Sequence, residues 1–405
     1  MTGSAPARPL AIALAGLVSL AVAMGIGRFA FTPLLPMMLA EQSVTLAGAS
    51  LLASANYFGY LLGALVCTFQ PWIWRHLGWR SAVNGPRLVR GGLVATVLLT
   101  LGMAVHAPGL WTLLRFAAGV ASAVVFLYIS GWCLEQLARR GVPAMGALIY
   151  VGPGAGIVAS GVAASGLVAE GASAATGWLV FGVLALVLTS GIWPVVHARN
   201  NVAAASVPAS GASAVAAPAA RGATGIGLLA FAYGLAGIGY IITATFLPVI
   251  ARQALPTSRW LDLFWPLFGV GVMLGALGAS RLPPADLRLR LAACYLIQAA
   301  GVAASLVSPT LAGFALGSLL LGLPFTAITF FGMQEVRRLK PQNATSYMGL
   351  LTAMYGLGQI AGPPLAAWLV AHSANAAQGF ALSLWIACGL LVLGALLYLV
   401  LARRP

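Results

Sequence analysis

The stretch MGIGRFAFTPLLPMM, residues Met24–Met38, is matched without gaps 212 positions later by AGIGYIITATFLPVI, residues Ala236–Ile250. The identical positions are Gly25, Ile26, Gly27, Leu35 and Pro36, which correspond to Gly237, Ile238, Gly239, Leu247 and Pro248. The same offset aligns FGYLLGAL, residues 58–65, with VGVMLGAL, residues 270–277. Two ungapped matches at one offset predict that the chain is a parallel duplication.

The composition around these repeats is that of an integral membrane protein. Hydrophobic residues make up 61% of the 405 residues, charged residues make up 7%, and the mean hydropathy is +0.98, whereas a soluble domain carries about 25% charged residues. Apolar runs of about 20 residues, the length of a membrane-spanning helix, occur near 10–38, 46–69, 88–106, 109–136, 144–169, 174–197, 224–250, 261–280, 289–308, 311–334, 345–371 and 379–402. Since each run is apolar on every side, the runs predict helices and not the alternating strands of a barrel.

One connection differs from all the others. The tract from Arg199 to Ala223 is rich in Ala, Ser, Pro and Gly and has no large apolar residue beyond three valines. Such a tract cannot bury enough surface to become ordered, which predicts a flexible linker. The sequence therefore predicts an all-α membrane protein with twelve transmembrane helices in two pseudo-symmetric six-helix halves, residues 1–198 and 224–405, joined by the linker 199–223.

The charge distribution predicts the orientation. The chain has 21 Lys and Arg residues against six Asp and Glu, a net charge of +15. With the N-terminus inside and an even number of spans, all but four basic residues face the cytoplasm; the exceptions are Arg28 and Arg115 within spans and Arg252 and Arg259 outside. This positive-inside bias predicts that both termini are cytoplasmic. It also accounts for the basic composition without a nucleic-acid partner, and we expect a monomer in a bacterial-type inner (plasma) membrane.

Several motifs make the chain resemble the major facilitator superfamily. Arg115 and Gly119 are similar to the R-x-x-x-G signature of its fourth helix, and Gly152-Pro153-Gly154-Ala155-Gly156 resembles the G-P-x-x-G motif of exporters. The loop WRHLGWRS is similar to D-R-x-G-R-R, although Arg75 stands where the acid belongs. The stretch GIGRFAFTPLLPMM resembles the first helix of the YbfB/YjiJ-type branch. The resemblance implies a secondary transporter that works by alternating access around a cavity lined by helices 1, 4, 7 and 10.

Arg28 is the leading candidate for substrate contact. It lies about 6 Å from the midpoint of the first span at 1.5 Å per residue. An arginine at the centre of a membrane helix costs about 2.5–3.5 kcal/mol and usually faces a bundle interior or a wet cavity, where its guanidinium can bind a carboxylate or phosphate in bidentate fashion. The alternative is a structural arginine bonded to carbonyls freed by Pro33 and Pro36. Tyr240 replaces it at the equivalent position of the repeat, which favours a functional role.

Other residues complete the predicted sites. The predicted substrate-binding residues are Arg28, Tyr240, Arg115, Tyr128, Thr329 and Tyr150. The predicted gating or structural residues are Gly152, Pro153, Gly156, Gly119, Pro36, Pro248, Glu135 and Glu335. Further polar side chains within spans are candidate cavity contacts with a lower weight: Asn56, Tyr57, Tyr60, Tyr233, Gln298, Tyr355 and Gln359.

The acidic residues bear on coupling. All six lie in loops or near helix ends, so a proton relay through a buried carboxylate has no obvious carrier, although protons stay open as a coupling ion. Glu135 and Glu335 precede Arg139-Arg140 and Arg337-Arg338, a spacing that suits i,i+4 and i,i+3 ion pairs. We expect no metal or cofactor, because the Cys and His residues show no ligand spacing, and no enzymatic activity, because nucleotide-binding motifs are missing.

The sequence thus predicts a secondary transporter for a small organic, anionic or amphipathic substrate. The helix 5 motif favours export, although its glycines also permit close helix packing. Three alternatives stay open: an uptake permease of the same fold, a membrane sensor that binds without translocation, and, most remotely, an intramembrane enzyme.

Overall fold

The computed structural model describes residues 8–78, 84–197, 223–256, 258, 260–282, 285–341 and 344–403. Within these ranges the chain is helical and has no β-strand. The predicted linker lies outside the described residues except for Ala223, which begins a helix. The helices, numbered in chain order, are α1 (Pro9–Leu20), α2 (Phe31–Ala40), α3 (Leu46–His76), α4 (Gly85–Gly102), α5 (Pro108–Arg139), α6 (Gly152–Ala169), α7 (Ala174–His197), α8 (Ala223–Ala254), α9 (Phe264–Ala279), α10 (Leu287–Val307), α11 (Leu311–Gly322), α12 (Phe325–Leu339), α13 (Ala344–Ala371) and α14 (Ala376–Arg403).

Ten helical segments of the described chain are long and apolar enough to cross a membrane. Some combine two elements, such as Pro9–Ala40 and Leu311–Leu339. Two other helices, α4 and α13, are not among the ten. Helix α4 begins with Arg87 and Arg90, which lower the hydropathy of its first turn. By their length and composition, the described helices can therefore cross a membrane many times.

Helix ends follow local chemical signals. Asn84 accepts a hydrogen bond from the backbone N–H of Arg87 at 3.1 Å and caps α4, and Asp286 does the same for Arg288 at 2.8 Å in α10. Side chains of this type satisfy N–H groups that have no partner within the first turn of a helix. Pro108 occupies the first position of α5, where the missing N–H costs nothing.

The first span is broken, whereas the sequence predicted one continuous helix over 10–38. Helix α1 passes into a π-helical turn over Ala21–Ile26, residues 27–30 form turns, and α2 begins at Phe31. Pro33 has no N–H to donate to the carbonyl of Phe29, four residues earlier, which removes one helix hydrogen bond directly after these turns. The equivalent helix of the second repeat, α8, is continuous from Ala223 to Ala254.

Glycines at equivalent positions of the repeats make equivalent helix contacts. A Cβ atom at Gly59 would collide with the backbone of Phe116, and one at Gly271, 212 residues later, would collide with the backbone of Leu319. Two more pairs of equivalent glycines behave in this way. Gly63 contacts the backbone of Val120 as Gly275 contacts that of Leu323, and Gly119 contacts the backbone of Asn56 as Gly322 contacts that of Phe268. The α3–α5 contact is thus repeated between α9 and the α11–α12 segment, with an offset of 203 in the second partner.

Candidate functional site

A buried group of polar and aromatic side chains lies where the break in the first span meets α8 and α13. We call it the central cluster, and it consists of Arg28, Tyr57, Tyr60, Tyr240 and Gln359. Arg28 is 4% exposed, Gln359 is 2% exposed and Tyr240 is fully buried. Its members come from the first span, α3, α8 and α13, so the cluster joins both repeats.

Arg28 and Tyr240 meet the same amide. The Nη2 group of Arg28 donates to Oε1 of Gln359 at 2.7 Å, and Nε2 of Gln359 donates to the hydroxyl of Tyr240. Positions 28 and 240 are equivalent in the repeat, so Gln359 bridges the guanidinium and the phenol that stand at this position in the two copies. Sequence reasoning gave Gln359 only a low weight; the available signal was an amide within the apolar span of α13.

Aromatic rings surround the guanidinium of Arg28. Its central carbon lies 3.9 Å from the ring centre of Tyr60 and 5.4 Å from those of Tyr57 and Phe29. Such cation–π contacts stabilise a guanidinium without neutralising it. The Nε atom of Arg28 is buried and has no acceptor among the described residues. The cluster therefore holds a positive charge with an unused donor.

All six acidic residues lie in the described part of the chain, and none contacts Arg28. Glu41 accepts from the backbone N–H of Ala174 at 2.6 Å, and Asp286 caps α10. Glu170 is exposed at the end of α6. The other three pair with other arginines, as Glu135–Arg139, Asp262–Arg252 and Glu335 with both Arg288 and Arg338. Among the described residues, no carboxylate therefore balances the charge of Arg28.

Arg115 is close to Arg28 but has a different set of partners. Its Nη1 donates to the carbonyl of Gly27 at 3.0 Å and its Nη2 to the carbonyl of Arg28 at 2.8 Å. Both carbonyls belong to the turn between the π-helix and α2, and Asn56 anchors the backbone of Arg115 at 2.9 Å. The helix-tying role that the sequence left open for Arg28 is thus performed by Arg115.

The second repeat lacks this tie. The offset of 203 that relates Gly119 to Gly322 pairs Arg115 with Ser318, whose hydroxyl bonds to the carbonyl of Phe314 in its own helix. Helix α8 is continuous and leaves no carbonyls free at the corresponding place. The first repeat therefore combines a broken helix with an arginine at this position, whereas the second repeat combines a continuous helix with a serine.

The second repeat contributes an aromatic wall. Tyr240 is stacked on Tyr355 with centroids 5.7 Å apart, and its edge contacts Phe325 at 5.2 Å. Tyr355 in turn lies 5.2 Å from Tyr233, whose hydroxyl donates to Thr329 at 3.2 Å. The predicted residue Thr329 is thus connected to the central cluster through two rings.

Two predicted contact residues lie elsewhere. Tyr128 is half-buried beside Gly85 at the start of α4, 13 residues and about 20 Å along α5 from Arg115 at 1.5 Å per residue. Tyr150 is half-buried in the 3-10 turn over Pro143–Val151, with its ring 6.4 Å from Phe126. The structure therefore brings neither side chain into the central cluster.

The predicted gating glycines lie at close helix contacts in this structure, and their gating role stays a prediction. Gly152 and Gly156 of the G-P-x-x-G motif lie against the backbone of the first span, and Gly154 lies against α9. Pro153, Pro36 and Pro248 are buried within or at the start of helices. Among the described residues, no group of three or more His, Cys, Asp or Glu side chains could hold a metal ion.

Comparison with known proteins bears on the whole chain. The family model described as "Uncharacterised MFS-type transporter YbfB" matches residues 20–399. Two crystal structures described as the nucleoside transporter NupG have the same fold, one of them of a point mutant. The mutant structure has a TM-score of 0.70 at 14% identity and covers 97% of this chain and 100% of its own. The other has a TM-score of 0.64 at 15% identity, with coverage of 98% and 99%. No curated protein sequence matches the chain significantly.

Proposed function

Because the chain belongs to the YbfB-type family of the major facilitator superfamily, and is thus a multi-pass membrane transporter, we propose that its substrate is a small organic anion. The resemblance of its first helix to this family is confirmed by the match over residues 20–399. We further propose that α4 and α13 also cross the membrane, which completes twelve spans in two six-helix halves. The positive-inside bias supports cytoplasmic termini in a bacterial inner membrane.

The observation that carries the proposal is the buried, uncompensated charge of Arg28. A buried cation is costly unless it is paired, and the side chain that accepts from Arg28 here is the neutral amide of Gln359. A carboxylate, phosphate or sulfonate could accept from two guanidinium nitrogens at once and would also neutralise the charge, which a neutral amide cannot do. The site therefore favours an anion over a neutral or cationic molecule.

The aromatic lining supports an amphipathic substrate. Tyr60 and Tyr57 lie on one side of the guanidinium, and Tyr240, Tyr355 and Phe325 form the wall contributed by the second repeat. Rings of this kind pack well against flat apolar groups. We therefore propose a substrate with an anionic group for Arg28 and a planar or apolar body for the tyrosines.

Substrate binding and movement of the halves are linked through Gln359. An anion that takes the Nη2 donor of Arg28 replaces the Gln359 amide, and this removes a direct bond between the first span and α13. Rocking of the two halves around a midplane site is the usual mechanism of alternating access. In this proposal the substrate itself weakens one contact that holds the halves in their present arrangement.

We propose export as the direction of transport. In a cell that is negative inside, the membrane potential favours the exit of an anion by about 2.3 kcal/mol per charge per 100 mV. None of the six acids lies in the central cluster, so this driving force suits the site better than a carboxylate proton relay. Uptake by the same fold is the alternative, and the sign of the flux in vesicles of known orientation distinguishes the two.

The proposal is tested by ligand screening on the purified protein. Organic anions and cations of similar size are compared by thermal shift on the wild type, Arg28→Ala, Arg28→Lys and the control Arg139→Ala, which removes an exposed charge. We expect anions to stabilise the wild type and Arg139→Ala, and neither Arg28 variant. Reconstituted Arg28→Ala that transports the anion at the wild-type rate would contradict the assigned role. Binding without flux in the wild type would indicate a sensor.

A further inference from the structure

A second basic site lies on the outside of the bundle, between the first turns of α4 and the last turns of α7. A cavity of about 310 Å³ is lined there by Arg87, Arg90, Gly91, Val94 and Trp193. None of these residues belongs to the central cluster, and none of the six acids lines the cavity. Its chemistry is therefore separate from that of the proposed transport site.

The cavity presents two guanidinium groups on one helix face. Arg87 and Arg90 are three residues apart, so their side chains are neighbours on α4. The guanidinium carbon of Arg90 lies 5.9 Å from the ring centre of Trp193, and its Nε donates to the carbonyl of Pro86 at 3.4 Å. These contacts orient Arg90, and a pair of arginines in this arrangement suits the oxygens of a phosphate.

The surface next to the cavity is apolar and exposed. On α4, Val94 is 42% exposed and Leu98, one turn further, is 62% exposed. On α7, Leu186 lies two turns from Trp193 on the same face and is 48% exposed. Arginine and tryptophan are typical of the membrane interface. The apolar side chains of Val94, Leu98 and Leu186 are suited to the hydrocarbon region next to it. The groove thus changes from cationic to apolar along the direction in which a lipid lies.

From this juxtaposition we propose that the groove between α4 and α7 binds an anionic phospholipid of the surrounding bilayer. The phosphate lies between Arg87 and Arg90, and an acyl chain follows Val94 and Leu98. Basic pockets between membrane helices are suited to such headgroups. The groove is open over Gly91, where an added Cβ atom would meet no other atom within 4 Å. A free phosphate would use the arginines alone and leave the apolar half of the groove empty.

Native mass spectrometry of the full-length protein tests this site. The protein is titrated in detergent with phosphatidylglycerol or phosphatidylcholine, and the bound lipids are counted. We expect preferential retention of phosphatidylglycerol. The double variant Arg87→Ala/Arg90→Ala should weaken it about 30-fold, since each basic residue near an anionic lipid contributes about fivefold. Gly91→Leu should also weaken it, because the new side chain fills the groove without changing the charge.

Two controls separate the site from general effects. Gly191→Leu places the same side chain at another open position, on α7, and Arg281→Ala/Arg403→Ala removes two exposed charges elsewhere. Both controls should bind phosphatidylglycerol as the wild type does. Equal retention by the Arg87/Arg90 variant and the wild type overturns the proposal. So does displacement of the lipid by inorganic phosphate at the same concentration, which would show that the apolar half contributes nothing.

Discussion

The hydroxyl of Thr32 donates to the backbone carbonyl of Ala244 at 3.1 Å, and these two residues are 212 positions apart. They are therefore equivalent members of the repeat that contact each other. Two equivalent positions can touch only at the axis that relates the copies. One turn away along the chain, Arg28 and Tyr240 are also equivalent and share Gln359. The central cluster thus lies beside the axis, where both copies reach the same side chain.

Replacement of Gln359 by Glu should weaken anion binding. In the wild type, Nη2 of Arg28 lies 2.7 Å from Oε1 of Gln359. A carboxylate at this position would therefore pair with Arg28 and neutralise the charge that we propose the substrate binds. Since a hydrogen bond to a charged group contributes about 1.5–3 kcal/mol, we expect anion affinity to fall about 10- to 100-fold. The affinity is measured by calorimetry on the purified protein.

The matched control is Gln359→Leu, which has a similar volume and no charge. It removes the bridge to Tyr240 but leaves Arg28 without a competing partner, so anion binding should be retained. Equal loss of affinity in both variants would mean that the amide itself binds the substrate.

Arg115→Ala should destabilise the protein without a specific effect on ligand binding. The substitution leaves the carbonyls of Gly27 and Arg28 without their guanidinium donors, and each such bond contributes about 1.5–3 kcal/mol. Thermal unfolding should shift to a clearly lower temperature. Arg115→Lys should restore part of the loss, because one ammonium can reach one of the two carbonyls. An unchanged unfolding temperature would show that the turn does not need this tie.

Gly59→Ala and Gly271→Ala should destabilise the protein to a similar extent. In each case the new methyl group collides with a carbonyl of the facing helix, and overpacking of this kind costs about 1–3 kcal/mol. Gly389→Ala, at an open position of α14, serves as the control and should be neutral or slightly stabilising because alanine favours helix. Different effects at Gly59 and Gly271 in thermal unfolding would argue against equivalent packing.

Glu335→Gln should be far more damaging than Glu135→Gln. Glu335 is fully buried and accepts from both Arg288 and Arg338, which are 14% and 45% exposed. Its loss therefore removes a buried carboxylate that pairs with two arginines, and breaking a buried pair costs more than breaking an exposed one. Glu135 pairs only with Arg139, which is 57% exposed, and such surface pairs contribute about 0–1 kcal/mol. Denaturation monitored by tryptophan fluorescence compares the two; equal shifts would contradict this assignment.

Local sequence patterns were sufficient to predict most helices. Apolar runs near 261–280 and 289–308 correspond closely to Leu261–Ala279 and Leu287–Val307, because a membrane helix has to be apolar on all sides. The break in the first span could not be predicted in the same way. Gly25, Gly27 and Pro33 are tolerated in continuous membrane helices when neighbouring groups satisfy the backbone, and only the partner, Arg115, shows that they break it here.

The site was harder to predict than the helices. The charge of Arg28 within an apolar span was visible in the sequence, and so was its replacement by Tyr240. The role of Gln359 depends on which face of α13 is turned toward the first span. A helix that is apolar on all sides gives no sequence signal for this rotation. Tyr128 and Tyr150 were predicted because they are polar aromatic residues within apolar spans, and this property does not determine how far they lie from Arg28.

The broken first span and Arg115 also constrain how this chain can evolve. A descendant that lost Arg115 but kept the break would bury two carbonyls without donors. One that restored a continuous helix but kept Arg115 would bury a guanidinium without acceptors. Each feature is tolerable only in the presence of the other. A change in either feature alone is therefore expected to lower stability, so the break in the first span and Arg115 should be kept or lost together.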